Sequence, residues 1–217
     1  MMNNSFKIYY EDNHIIVVFK EKGILSQPDS SNRPDMLTMI KDYIKVKYQK
    51  PGNVFLGLVH RLDINTSGIM VYAKTSKAAQ RLSDSILKHE FSKCYHATVE
   101  GILNNIDYIK LENNIIKDEN EKKSYISNEG KKSILYYRAL KNYKINNIDV
   151  TDVDIKLVTG RFHQIRCQMA NINHPLFGDK KYGSKNDIDV LSFPLDCYKI
   201  SFPHPTTKEI LEFENEE

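Results

Sequence analysis

The chain has 217 residues, 41% of them hydrophobic, and 31 Lys and Arg against 28 Asp and Glu give a formal net charge of +3. This length can bury a substantial core as one domain, no run approaches the roughly 20 apolar residues of a membrane span, and the N-terminus has no apolar signal core or cleavage site. The three cysteines, Cys94, Cys167 and Cys197, include no C-x-x-C pair, so neither a disulfide framework nor a zinc site is expected and the protein reads as cytoplasmic.

In chain order, HIIVVFK (14–20) reads as a buried strand. MLTMIKDYIKVKY (36–48) has Leu37, Ile40 and Ile44 at helical spacing, with Tyr43 and Tyr48 on that side. VFLGLVH (54–60) and GIMVYAK (68–74) are apolar, β-branched runs that read as strands. Thr75 or Ser76 can cap a helix over 77–89, with Ala78, Leu82 and Ile86 as its apolar face.

KCYHATVEG (93–101) alternates as a strand, with Tyr95, Ala97 and Val99 on one side. Residues 103–132 are rich in Asn, Lys, Glu and Ile and read as a surface loop and hairpin. SILYYRALKNY (133–143), VDIKLVT (153–159) and CYKISF (197–202) are further strands, and RFHQIRCQMANI (161–172) reads as a helix starting near Arg161. Strands that come in groups, without βαβ alternation, predict an α+β fold with a mixed, largely antiparallel sheet flanked by helices.

Charge is unevenly spread. Residues 156–185 carry Lys156, Arg161, Arg166, Lys180, Lys181 and Lys185 against Asp179 alone, and residues 72–96 are also basic, whereas 100–130 and the tail are acidic. Such a local basic surface suits a polyanion better than the total suggests.

Three constellations carry chemistry. In VHRLDINTSG (59–68), Asp63 lies on a turn between two apolar runs, Thr66 and Ser67 can bond the loop backbone, and Gly68 can relieve strain. On residue types alone Asp63 could be a nucleophile, a base, a metal ligand or half of a salt bridge. In LVTGRFHQIR (157–166), Arg161 and the helix start could meet an anion. Lys93 and Tyr95, two apart, share one face of a strand, where a packed core tyrosine is the ordinary reading. Metalloprotease, P-loop, dinucleotide and zinc-deaminase signatures are absent, and Leu62 interrupts the His-Arg-Asp of a kinase.

H-R-L-D-x-x-T-S-G at 60–68 resembles the catalytic motif of the RluA-type pseudouridine synthases. K-x-Y-x-A-x-V-x-G at 93–101, T-G-R-x-H-Q-I-R at 159–166, HPLFGDKKYG at 174–183, SFPHPTT at 201–207 and the opening YEDNHIIVVFKEKGILSQ resemble further family segments in the same order. Ser26-Gln27 departs from the Val-His of many relatives, and Cys94 varies locally. The resemblance implies one catalytic domain over 1–217, divisible into two subdomains around one continuous sheet, with no S4 domain.

It also implies isomerisation of uridine to pseudouridine in ribosomal or transfer RNA by a monomer that uses no cofactor and no metal. Asp63 is then the essential catalytic residue and Arg166 its charged partner. Arg61 fills the space a flipped base leaves or holds the displaced backbone, and Tyr95 stacks on that base. His60 is expected to orient the loop. A carboxylate in a partly dry pocket needs such a cation, because desolvation raises its pKa and a nearby arginine lowers it. An RNA-binding module without catalysis, and a hydrolase or transferase using Asp63, are the rival readings.

Overall fold

The computed structural model describes residues 6–215. In chain order its elements are β1 (Ile8–Glu11), β2 (Ile15–Lys20), α1 (Met36–Lys47), β3 (Gly57–Leu58), β4 (Ser67–Ala73), α2 (Ser76–Leu87) and β5 (Ser92–Glu100). There follow β6 (Ile109–Asp118), β7 (Lys123–Ile126), β8 (Lys131–Ile145), β9 (Ile148–Leu157), α3 (Gln164–Asn171), β10 (Leu195–Pro203) and β11 (Ile210–Glu214). This is the expected α+β class. The chain divides into two compact units, Met1–Ser92 with Cys197–Glu217, and Lys93–Asp196.

In the first unit β2 lies between β1 and β4, antiparallel to both, and β11 pairs antiparallel with β10. All seven residues of β4 are buried, as are Ile15–Val18 of β2. These strands are covered on both faces and therefore read as unbroken apolar runs rather than alternating ones. Asp35 caps α1 by accepting from the Thr38 amide, and Thr75 caps α2 by accepting from the Ala78 amide.

The buried face of α1 is Met36, Ile40 and Ile44, with Leu37 turned partly outward and Tyr48 exposed. The face is rotated from the expected one because Tyr43, Tyr48, Lys47 and Lys74 all bond the carboxylate of Glu11 at the rim. Burial pushes the Glu11 carboxyl up, but these four donors outweigh it and hold it at about 2. On α2, Ser85 is buried in place of Ile86, its hydroxyl bonded to the Leu82 carbonyl.

The run 54–60 forms a strand only at Gly57 and Leu58, which pair with Ala73 and Tyr72. Its remainder is irregular, and Phe55 is exposed. The expected strand over the whole run is therefore wrong: backbone pairing is available to two residues.

In the second unit the strand order is β5-β9-β8-β6-β7, with antiparallel pairs throughout. The β8–β9 hairpin closes on Asn146 and Asn147, both at positive φ, the two-residue turn whose twist matches the flanking strands. The Asn- and Lys-rich region 103–132 does contain a hairpin, β6–β7.

Helix α3 begins at Gln164, not near Arg161. His163 adopts φ 50°, the left-handed region, so residues 161–163 form a turn that helical spacing cannot reveal. Among the described residues no disulfide forms, and Cys167 and Cys197 are buried. Among the described residues no helix is long and apolar enough to cross a membrane, and no group of three His, Cys, Asp or Glu side chains could hold a metal ion.

Candidate active site

In the first unit, the loop between β3 and β4 presents Arg61 exposed, Leu62 buried and Asp63 half-buried. The Thr66 amide donates to the Asp63 carbonyl at 3.0 Å and closes a turn at this point. The residues on either side of Asp63 are also tied. The Leu62 amide donates to Ser26 Oγ at 3.0 Å, Ser26 Oγ donates to the Leu62 carbonyl at 2.7 Å, and the Gly23 amide donates to the Ile64 carbonyl at 2.8 Å.

His60 is buried; its Nε2 accepts from the Val71 amide at 3.1 Å, and its ring lies 5.2 Å from that of Phe91. The amide contact joins the loop start to β4. Gly68, at φ 137°, ends the loop where an added Cβ would lie 2.4 Å from the Cys197 carbonyl oxygen. Only glycine fits there.

One residue of this region was not singled out in the sequence. Lys20, at the end of β2, is wholly buried, and its Nζ donates to the carbonyls of Glu21 and Ile24 at 3.1 and 2.7 Å. Burial pushes its ammonium down to about 8, opposed by the charges of Asp63 and then Glu21. Asp63 thus has a buried cationic neighbour within its own unit. Lys20 closes an apolar strand and carries no spacing signal, so only the folded chain reveals its role.

In the second unit, Tyr95 lies on β5 opposite Ile155 and is 5% exposed, buried on the face it shares with Ala97 and Val99. Lys93 is half-buried, and its Nζ approaches Gly160, 3.3 Å from where a Cβ would stand. The 159–164 turn is held by side chains. Gln164 Oε1 accepts from Thr159 Oγ1 at 2.8 Å and from the Arg161 amide at 3.0 Å, while its amide nitrogen donates to the Ile134 carbonyl. Arg161 itself is exposed.

Arg166, on α3, is 7% exposed and forks onto Asp179, 2% exposed, with Nε–Oδ2 at 2.6 Å and Nη2–Oδ1 at 2.7 Å. Its third nitrogen, Nη1, donates to His163 Nε2 at 2.9 Å. That contact assigns the proton to Nδ1, which donates to Tyr182 Oη at 3.0 Å, and the same oxygen accepts from the Ser124 amide. Burial, then the charges of Arg166, Lys181 and Lys117, push His163 down to about 3, so it stays neutral. The guanidinium also lies over the rings of Tyr182 and Phe193, at 4.9 and 5.4 Å.

Arg61 and Asp63 therefore belong to the first unit, and Tyr95 and Arg166 to the second. Sequence reasoning assigned no role to Asp179, His163 or Tyr182. Two of them lie in HPLFGDKKYG, the segment that signalled them without showing which side chain they face.

The chain matches the family model described as RNA pseudouridylate synthase over residues 14–171. It is 33% identical over 225 aligned residues to a protein of Aquifex aeolicus named an uncharacterized RNA pseudouridine synthase, covering 99% of this chain and 70% of that protein. A Bacillus subtilis protein of similar name is 32% identical, covering 95% and 67%. Ribosomal large subunit pseudouridine synthase D of Yersinia pestis is 34% identical over 182 residues, covering 82% of this chain and 53% of that one. Among solved structures, human RNA pseudouridylate synthase domain containing 1 has the same fold, with a TM-score of 0.74 at 21% identity, covering 99% of this chain and 84% of that one. With a family match over most of its length and relatives this similar across nearly all of it, the chain belongs to the RNA pseudouridylate synthase family, in its RluA-type branch, and is an isomerase.

Proposed function

We propose that the enzyme isomerises specific uridines to pseudouridine in ribosomal or transfer RNA, with Asp63 as its catalytic carboxylate. The relative named for the ribosomal large subunit favours ribosomal RNA. The observation that carries the assignment is the state of Asp63: half-buried on a loop tied at both neighbouring residues, beside a buried lysine. A fixed carboxylate next to a cation is equipped to act ionised in a partly dry site.

The reaction breaks the bond between N1 and the sugar and forms one from C5 to the same sugar carbon. C5 loses a proton and N1 gains one, so composition is unchanged and no electron donor or acceptor is needed. Attack at the sugar, attack at the base and assisted elimination all use the ionised form of Asp63. In this reading Arg61, exposed beside it, fills the space a flipped base leaves, an extrusion that costs a few kcal/mol. Tyr95 stacks on the uracil and Arg166 pairs with Asp63 in this reading. The Arg166 guanidinium is held in advance of any substrate by Asp179 and His163, with the rings of Tyr182 and Phe193 against it.

RNA carrying tritium at uridine C5 tests the reading. Wild-type enzyme is expected to release tritium to water and Asp63→Asn to release none. Equal release by the two would remove Asp63 from the reaction, and RNA binding without release by wild type would favour a binding module.

A further inference from the structure

Asp63 is gripped through its neighbours by the turn that follows β2. Ser26 is 4% exposed, and its single hydroxyl satisfies both backbone groups of Leu62, donating to the carbonyl at 2.7 Å and accepting from the amide at 3.0 Å. Leu62 is itself buried, so neither group has water to fall back on. On the other side of Asp63, the Gly23 amide holds the Ile64 carbonyl. The turn is anchored in its own right: Tyr72 Oη donates to the Ser26 carbonyl at 2.8 Å, and Lys20 Nζ holds the carbonyls of Glu21 and Ile24.

We propose that Ser26 is a positioning residue for Asp63: by fixing the backbone of Leu62 in both directions, its hydroxyl sets where the neighbouring carboxylate meets the reacting uridine. Ser26 touches no reacting atom in this account. The proposal rests on the reading of Asp63 as the catalytic residue. Displacement of a catalytic group by about 1 Å is enough to cost 100-fold in rate, whereas RNA binding spread over many contacts would hardly register it.

The test uses the full chain and total RNA labelled with [5-3H]uridine, taken from a strain lacking the gene. Single-turnover tritium release is measured against enzyme concentration for wild type, Ser26→Ala, Ser26→Cys and Asp63→Asn, at a temperature where circular dichroism shows each fully folded. Cysteine is near-isosteric and a weak hydrogen bonder, so loss of fold in the alanine variant leaves the comparison intact. The expected result is a maximal rate lowered at least 10-fold in both Ser26 variants, with the half-saturating enzyme concentration unchanged within twofold. A wild-type maximal rate in the Ser26 variants, with Asp63→Asn inactive, overturns the positioning role alone. A rate loss that appears only as weaker RNA binding overturns it too. Release by Asp63→Asn at the wild-type rate overturns the reading of Asp63 itself.

Discussion

Asp179→Asn isolates what the buried fork contributes. Asp179 accepts two charge-assisted hydrogen bonds from Arg166, at 2.6 and 2.7 Å, and both side chains are nearly withdrawn from solvent. The amide removes the negative charge and turns an NH2 group toward a guanidinium that has only donors, leaving a buried cation without its fork partner. Breaking a buried pair on one side costs roughly 3–5 kcal/mol. At about 2–4 °C per kcal/mol for a chain of this size, the thermal transition should fall by roughly 6–20 °C. A control shows that burial, not distance, sets this magnitude. Lys180 and Asp187 approach equally closely, at 2.6 Å, but with 58% and 79% of their side chains exposed. Asp187→Asn should therefore leave the transition where it is. Thermal unfolding of the three proteins followed by circular dichroism is the assay. If Asp179→Asn moves the transition no more than Asp187→Asn does, the argument from burial is wrong.

Three further outcomes follow from the geometry. His163 is held near 3 in the folded chain, far below an ordinary histidine at 6.5, so the unfolded chain binds the extra proton as pH falls through that window; stability is full above about 6.5 and drains away toward 3, and denaturant titrations of His163→Gln should lack this part of the acid loss. Lys20, lowered to about 8 from 10.5, follows the same sign at higher pH: the unfolded chain keeps its proton in that window, so wild type should gain stability over Lys20→Met as pH rises from about 8 to 10.5, and a flat difference would refute the burial of the ammonium. Gly68→Ala places a methyl 2.4 Å from the Cys197 carbonyl oxygen at φ 137°, so strain and overpacking together should cost roughly 2–6 kcal/mol in a chemical denaturation experiment; a variant as stable as wild type would mean that the loop end and Cys197 separate freely.

Strands buried on both faces announced themselves as apolar runs, which is why β2 and β4 were legible almost to the residue. The same cue failed at 54–60, where hydrophobicity marked burial of Val54 and Leu56 but only Gly57 and Leu58 find a pairing partner. Helical spacing placed α3 three residues early, because periodicity carries no information on the left-handed turn at His163. For the site, short motifs named the candidate residues, and the turn that presents Asp63 is the feature most legible in them. They could not show that Arg166 forks onto Asp179, thirteen residues away, or that Lys20, the last residue of an apolar strand, is wholly buried with its ammonium on the Glu21 and Ile24 carbonyls. Those facts depend on chain reversal and burial, which no spacing rule encodes.

If this chain makes pseudouridine in RNA and Asp63 carries the chemistry, the sites it modifies in the cell must depend on that carboxylate. The most direct measurement is a map of pseudouridines in ribosomal and transfer RNA from cells lacking the gene, complemented with wild type or with Asp63→Asn. At least one site should be lost on deletion, restored by wild type and not by Asp63→Asn. An unchanged map on deletion, or restoration by the asparagine variant, would contradict it.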